Sequence, residues 1–315
     1  MSMSKDARKA YEKAVREKEK KKRGHWLFIQ KGDSAKEIAS KIFTQLCVVV
    51  LIACGVILGN ELRLSMSAKK LNETLKGLYL SAVEAVTEGE MLSGAKDLIA
   101  MNPDTIGYVR ISGTEVDFPV VQAQDNDKYL ATAFDGSSNK AGTVFLDYRC
   151  VLEVHKRSDN LIIYGHNQRD RTMFGSLKDY KNNIDHYKKH PTVTFNSNYR
   201  SDEYKIFAYF VVETQPSQVS DGKVFDYQNY IDLSDRVLFD SFISKIGERS
   251  QIITDVDVKY GDELLTLSTC SNEFDNSRFV IFARKVRKGE DSFVDVSSAR
   301  LNPNAKEPDW KKIFG

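Results

Sequence analysis

The sequence predicts a mainly β fold: a closed antiparallel barrel carried on a membrane anchor. Three observations predict it. Seven short segments (GYVRI, TVFLDY, NLIIYGH, TVTFNS, YKIFAYFVVE, ELLTLSTC and RFVIFARKV) are rich in β-branched and aromatic residues, with turn residues between them. Helical patterns do not alternate with these segments as a parallel sheet would require, so antiparallel closure is favoured. Ahead of them, IFTQLCVVVLIACGVILGN at 42–60 runs for 19 residues without a charge.

The chain is 315 residues long, room for one sizeable domain plus extensions. Its first 41 residues hold 13 Lys/Arg against 6 Asp/Glu, whereas the remainder is net acidic. A basic tail fits that asymmetry better than a nucleic-acid-binding domain, and no basic patch with interleaved aromatics follows. Residues 1–23 read as a solvated helix or a disordered stretch that can rest on anionic lipid head groups. The uncharged run of 42–60 reaches about 28 Å as a helix, close to the thickness of a bilayer core. A core helix of that length would show a polar face, and this one has only Thr44, Gln45 and Asn60. A cleaved signal would have a shorter apolar stretch and a shorter leader. The expectation is a transmembrane helix at 42–60, residues 1–41 cytoplasmic by the positive-inside rule, and everything beyond Asn60 extracellular.

Stalk and N-terminal helices are expected over 61–100. Leu71, Leu75, Leu78, Ala82 and Ala85 mark one face that docks on the domain or forms a dimer seam. The barrel domain is expected over 101–315. One long helix interrupts its strands, capped by Ser234, striped by Leu238, Phe242 and Ile246, and ended by Gly247.

Side chains alternate along a strand, so Leu265 and Leu267 share one face of ELLTLSTC while Thr266, Ser268 and Cys270 share the other. Cys270 thus ends its strand on a polar face. An unaided cysteine there is more often inert than catalytic, and its neighbours decide. If RFVIFARKV pairs with ELLTLSTC as a hairpin, Arg278 faces Cys270 across about 5–6 Å of backbone. A cation at that point favours a thiolate and can hold a developing oxyanion, although it also suits a surface arginine closing a hairpin. Of five histidines, His25 lies in the tail, and His155, His186 and His190 lie in polar stretches typical of exposed loops. His166 instead ends the strand NLIIYGH, as Cys270 ends its own, and can exchange the proton that acyl transfer needs. Cys47 and Cys54 lie in the apolar run. Cys150 and Cys270 could form a disulfide unless Cys270 must be free.

YGHN at 164–167, TLSTC at 266–270 and Arg278 together resemble the sortases, membrane-anchored cysteine transpeptidases of Gram-positive bacteria. NPDTIGYVRISGTEVDFPVVQ at 102–122, DNDKYL at 125–130 and GTVFLDYR at 142–149 are similar to class B of that family, as is the helix at 234–246. The resemblance covers roughly residues 70–290 and implies an eight-stranded sortase-type barrel behind N-terminal helices. It implies that Cys270 attacks the threonine carbonyl of an NPxTN-like or NPxTG-like C-terminal sorting signal, that Arg278 steadies the oxyanion and that His166 protonates the leaving amine. An amine of a cell-wall (peptidoglycan) precursor or of a pilin lysine then resolves the thioester, so the implied partners are surface or pilin proteins bearing the signal. By the same resemblance Ser268 and Thr269 line the groove, and Tyr164, Asn126 and Leu130 lie near bound peptide. No metal cluster and no cofactor are expected. An inert anchored scaffold has no reason to keep the Cys, His and Arg together. A papain-like hydrolase would place its cysteine before its histidine, near a helix start.

Overall fold

The computed structural model describes residues 5–25, 27–80, 90–168, 170–219, 222–271 and 273–314. It divides into two compact units, one up to Arg63 and one from Leu64 to Gly315, with the boundary inside a long helix.

In the first unit, the charged segment forms helix α1 (Lys5–His25). Helix α2 (Ala35–Leu80) follows, 46 residues long. Ser34 starts it: the Ser34 backbone N–H donates to Glu37 Oε2 at 2.9 Å, and Glu37 N–H reaches back to Ser34 Oγ. The stretch predicted to span a membrane belongs to α2, which is long and apolar enough to do so, and none of its apolar window is buried. Val49, Leu51, Ile52, Val56 and Leu58 are exposed around the helix. An all-round apolar surface is costly in water and costs nothing in lipid.

The second unit contains the last turns of α2, helix α3 (Ser93–Met101) and the strands. The strands are β1 (Thr105–Arg110), β2 (Asp117–Val121), β3 (Phe145–Leu146), β4 (Asn160–Tyr164), β5 (Thr192–Ser197) and β6 (Ser201–Val212). After them come the short β7 (Ile252–Ile253), then β8 (Leu264–Cys270), β9 (Arg278–Lys285) and the short β10 (Arg300–Leu301). Eight strands close a barrel in the order β1-β2-β3-β4-β8-β9-β6-β5, and β10 pairs with β7 outside it. The predicted barrel is therefore present.

Its antiparallel character is not complete. β4 runs parallel to β8 from Asn160↔Leu264 to Tyr164↔Ser268, and β2 meets β3 in parallel at Val121↔Phe145. The cause is the stretch of about 100 residues between β4 and β8, long enough to return the chain to the same end of the barrel. It contains helix α4 (Ile184–Lys189), β5, β6 and helix α5 (Arg236–Arg249). Strand β2 carries Pro119, which hides it from a propensity reading. The proline is tolerated because β2 pairs along its length only with β1.

Helix α5 starts one residue later than predicted, and Ser234 is not its cap. Asp235 is, its carboxylate accepting from Leu238 N–H at 2.7 Å, while the Ser234 hydroxyl donates to Asp232. Gly247 does not end the helix, which runs to Arg249. Leu238 is 40% exposed, and the buried stripe is Phe239, Phe242 and Ile246. Phe242 stacks on Tyr230 and meets Phe282 of β9 edge-on, so α5 covers that face of the sheet. Burying such a ring contributes about 1.5–3 kcal/mol.

Leu71 and Leu75 of the expected stripe dock on the barrel domain, as one of the expected alternatives had it, joined by Tyr79, which the stripe did not include. Leu75 and Tyr79 pack with Leu98, Tyr108 and Val121, flanked by Leu71, and Tyr79 stacks on Tyr108 at 3.9 Å. Ala82 and Ala85 lie outside the described residues.

Candidate active site

Two pairings bring the three candidate residues to one rim of the barrel. In the hairpin β8–β9, Cys270 is the register partner of Arg278, as the sequence predicts. Opposite residues of an antiparallel pair point to the same face. Arg278 Nη1 donates to Cys270 Sγ at 3.2 Å and also to the Ser277 carbonyl at 3.4 Å. On the other side of β8, parallel pairing puts Tyr164 level with Ser268, and Gly165 N–H donates to the Ser268 carbonyl at 3.1 Å. Strand β4 stops at Tyr164, so His166 does not end the strand as expected but follows it by two residues, in the segment that leaves the barrel at the end where β8 finishes in Cys270. An antiparallel β4 would have carried His166 to the far rim.

His166 is anchored by a contact the sequence did not announce. Its Nε2 lies 2.8 Å from the Leu130 carbonyl. A carbonyl only accepts, so Nε2 carries the proton and Nδ1 is the unprotonated nitrogen when the ring is neutral. One glycine makes room for the ring, and a second makes room for Phe174. Gly142 has φ +63°, and a Cβ there would lie 2.5 Å from the Tyr129 carbonyl and 3.0 Å from His166 Cδ2. At Gly165 a Cβ would meet Phe174 at 2.6 Å. The loop that follows returns at once, with Phe174 N–H donating to the His166 carbonyl. Asp170 in that loop accepts from Ser65 of α2.

All four cysteines are free, so Cys150 and Cys270 are not joined. Their settings differ in a way that bears on chemistry. Cys150 is 4% exposed, with its thiol on the Asn160 carbonyl, and burial pushes that thiol up to about 12. It stays neutral and inert at physiological pH. Cys270 is half-exposed at a strand end beside a guanidinium.

The expected groove residues are placed as follows. Ser268 is 1% exposed, and its hydroxyl is bonded to Tyr227 Oη at 2.6 Å. Thr269 is 3% exposed, on the opposite face of β8 from Cys270, and among the described residues its hydroxyl has no hydrogen-bond partner. Leu130 is exposed beside His166 and touches it through its backbone carbonyl. Tyr164 and Asn126 converge on Asp147, a residue that sequence reasoning missed. Tyr164 Oη donates to Asp147 Oδ2 at 3.0 Å, Asn126 Nδ2 donates at 3.2 Å, and Asn126 Oδ1 accepts from Tyr148 N–H. Arg149 completes the cluster with Nε on Oδ1 at 2.9 Å and Nη2 on Oδ2 at 2.8 Å. Burial alone would raise the Asp147 carboxyl, but the Arg149 side chain and N–H outweigh it, and the carboxyl is held below its ordinary range. The only hint in the sequence was an acid and an arginine two apart at the end of GTVFLDYR.

His186 and His190 do not lie in exposed loops as predicted. Both are half-buried on or just after α4, and His186 packs edge-on against Tyr180. Burial and the neighbouring His190 lower the affinity of His186 for a proton. Among the described residues no cluster of three or more metal-ligating side chains occurs.

A family model described as the sortase domain matches residues 109–286, more than half of the chain. Sortase B of Listeria monocytogenes is 29% identical over 263 residues, covering 80% of this chain and 99% of that protein. Sortase B of Staphylococcus aureus is 29% identical over 194 residues, covering 61% of this chain and 74% of that protein. Among solved structures, sortase B of Bacillus anthracis in complex with AAEK1 superposes with a TM-score of 0.62 at 27% identity, over 71% of this chain and 99% of that one. The Staphylococcus aureus sortase B–substrate complex superposes with a TM-score of 0.62 at 25% identity, over 71% of this chain and 98% of that one.

Proposed function

The chain belongs to the sortase family of transpeptidases, in class B, and from that premise we propose which residues act and on what. Sortases are cell-surface enzymes that take proteins bearing a sorting signal and join them to a cell-wall amine. In this chain, Cys270 Sγ as thiolate attacks the carbonyl carbon of the threonine in an NPxTN-like or NPxTG-like signal. Arg278 donates N–H bonds to the oxyanion of the tetrahedral intermediate. As that intermediate collapses, the threonine C–N bond breaks, and His166 delivers a proton to the departing amine. A thioester remains on Cys270. A second amine, from a peptidoglycan precursor or a pilin lysine, attacks the thioester carbonyl, His166 takes back a proton from that amine, and the C–S bond breaks to leave the new amide and the thiolate.

The observation that carries this reading is the 3.2 Å contact from Arg278 Nη1 to Cys270 Sγ, with His166 two residues beyond the end of the adjacent parallel strand β4. It is supported by the inert setting of Cys150, which leaves one thiol in the barrel suited to nucleophilic attack. Residues 42–60 span the membrane, the basic tail lies in the cytoplasm and the barrel of 101–315 faces outward, because cations gather on the inner side of a first span. The test incubates the protein with peptides carrying each signal and follows cleavage and the covalent adduct by mass spectrometry. The expected adduct maps to Cys270. Cleavage by a Cys270→Ala protein refutes the mechanism, and an adduct on another residue reassigns it.

A further inference from the structure

Residues 287–315 lie beyond the family match, yet their last turn reaches the active-site rim. The seven residues of loop 271–277 join Cys270 to Arg278, and the Cys270↔Arg278 pair is the last of the hairpin. The terminal pair of a hairpin frays first unless its loop is held. Inside the loop, Ser271 N–H donates to the Ser277 carbonyl at 3.0 Å and Ser277 Oγ donates to the Phe274 carbonyl at 2.8 Å. From outside, Gln218 Nε2 donates to the Asp275 carbonyl at 2.6 Å and Thr214 Oγ1 to the Asn276 carbonyl at 2.8 Å. Lys181 Nζ also pairs with Glu273 of the loop, and the loop presents Phe274, which Trp310 meets edge-on with ring centroids 5.8 Å apart.

Trp310 is itself tethered to the barrel domain at several points. Asn302 N–H donates to the Gln251 carbonyl at 2.9 Å, and Lys306 N–H to the Glu248 carbonyl at 2.8 Å. β10 adds its pairing to β7. In helix α6 (Trp310–Phe314), Lys312 Nζ donates to the Val219 carbonyl at 2.5 Å, one residue past the turn that supplies Gln218. Trp310 Nε1 is bonded to Glu307, which fixes the indole, and Phe314 stacks on the same ring system with centroids 6.1 Å apart. The C-terminal segment therefore clamps both the catalytic loop and the turn that braces it.

We propose that Trp310 is a positioning residue for transpeptidation: its docking on Phe274 holds loop 271–277 and so keeps Arg278 aimed at Cys270. The proposal rests on the assignment of Cys270 and Arg278 given above. A small displacement of one catalytic group is enough to cost about 10²-fold in rate, so partial loosening predicts a loss of about tenfold.

The test uses the full chain in detergent micelles. Two readouts are taken on the parent, Trp310→Ala and Trp310→Phe: kcat and KM on a sorting peptide, and amide hydrogen exchange in fragments covering 264–270 and 271–277. The expected result for Trp310→Ala is a fall of about tenfold in kcat with KM within about twofold, and faster exchange confined to 271–277. Trp310→Phe keeps an aromatic edge for Phe274 and should stay near the parent in both. Unchanged exchange in 271–277 overturns the proposal, as does exchange that accelerates equally in 264–270, because the segment then acts only on global stability. Normal kcat in Trp310→Ala overturns it too. If even the parent cleaves no sorting peptide, the proposed function fails, and the exchange data still decide whether Trp310 holds the loop.

Discussion

Replacing Arg278 by lysine keeps the charge and removes the fork, and the geometry states which of the two matters. Among the described residues Arg278 spends one terminal nitrogen on Cys270 Sγ and on its own neighbour's carbonyl. Its Nε and second terminal nitrogen remain for a peptide carbonyl or a developing oxyanion beside the thiol. Lysine has three donors on a single, strongly hydrated atom at the end of a flexible stem, and contact with Sγ would use that atom. Losing one directed oxyanion donor costs about 10²–10³ in rate, or roughly 3–4 kcal/mol of transition-state stabilisation. Arg278→Lys should therefore lose about 10²–10³ in kcat/KM on a sorting peptide, with the melting temperature within a few degrees because the side chain is half-exposed. The companion assay is the rate of Cys270 alkylation by iodoacetamide at neutral pH. If the guanidinium acts mainly as an oxyanion donor, that rate changes by less than about threefold, since the local charge is kept. Turnover within tenfold of the parent would refute the donor role. Alkylation that falls in proportion to turnover would move Arg278 into thiolate activation.

Three further outcomes are expected. Cys270→Ala should abolish cleavage and cost about 1 kcal/mol or less, whereas Cys150→Ala, in the core, should keep turnover and lose about 1–2 kcal/mol in a melt. Removing residues 1–60 should give a soluble, active enzyme, because the apolar run ends there and the compact unit begins at Leu64; aggregation of that protein would argue against the anchor assignment. Asp147→Asn should lower stability at neutral pH by about 3 kcal/mol, the low end for breaking a buried ion pair because Arg149 is partly exposed. The carboxyl is depressed in the folded state, so its stabilisation is present above the ordinary carboxylate range near pH 4 and is lost as pH falls through the lower folded value. The parent and Asp147→Asn should then converge in urea melts taken at acid pH, and a gap that persists undiminished there would show that the carboxylate is not the source.

The sequence made the strands and the hairpin legible because their signals are local. ELLTLSTC and RFVIFARKV announce themselves by β-branched and aromatic content, and a seven-residue loop between them leaves few registers, so Cys270↔Arg278 followed. The cap of α5 was misread by one residue because Ser234 and Asp235 both satisfy the composition rule, and only geometry tells which oxygen meets the Leu238 N–H. The Asp147 cluster was barely legible, its one trace being the acid and the arginine two apart in GTVFLDYR. Its partners are Asn126, Arg149 and Tyr164, and no periodicity links a loop amide to a strand tyrosine 38 positions later.

The parallel pairing of β4 with β8 is where fold and function meet. A meander of antiparallel strands sends successive strand ends to alternate rims, so a histidine and a cysteine ending adjacent strands would be separated by a strand's length, about 17–20 Å for five or six residues. The excursion through β5, β6 and α5 returns the chain to the starting end, and β8 then runs beside β4 in the same direction. Two strand ends that propensity marks independently thereby become one rim, and β9 adds Arg278 from the opposite direction. The excursion also supplies the support beneath the rim. It carries Tyr227, which takes the Ser268 hydroxyl, and Phe242, which covers Phe282, so the face bearing Cys270 is closed except at its end. A cysteine left half-exposed at that end, on a strand otherwise buried, is open to a peptide arriving at the rim.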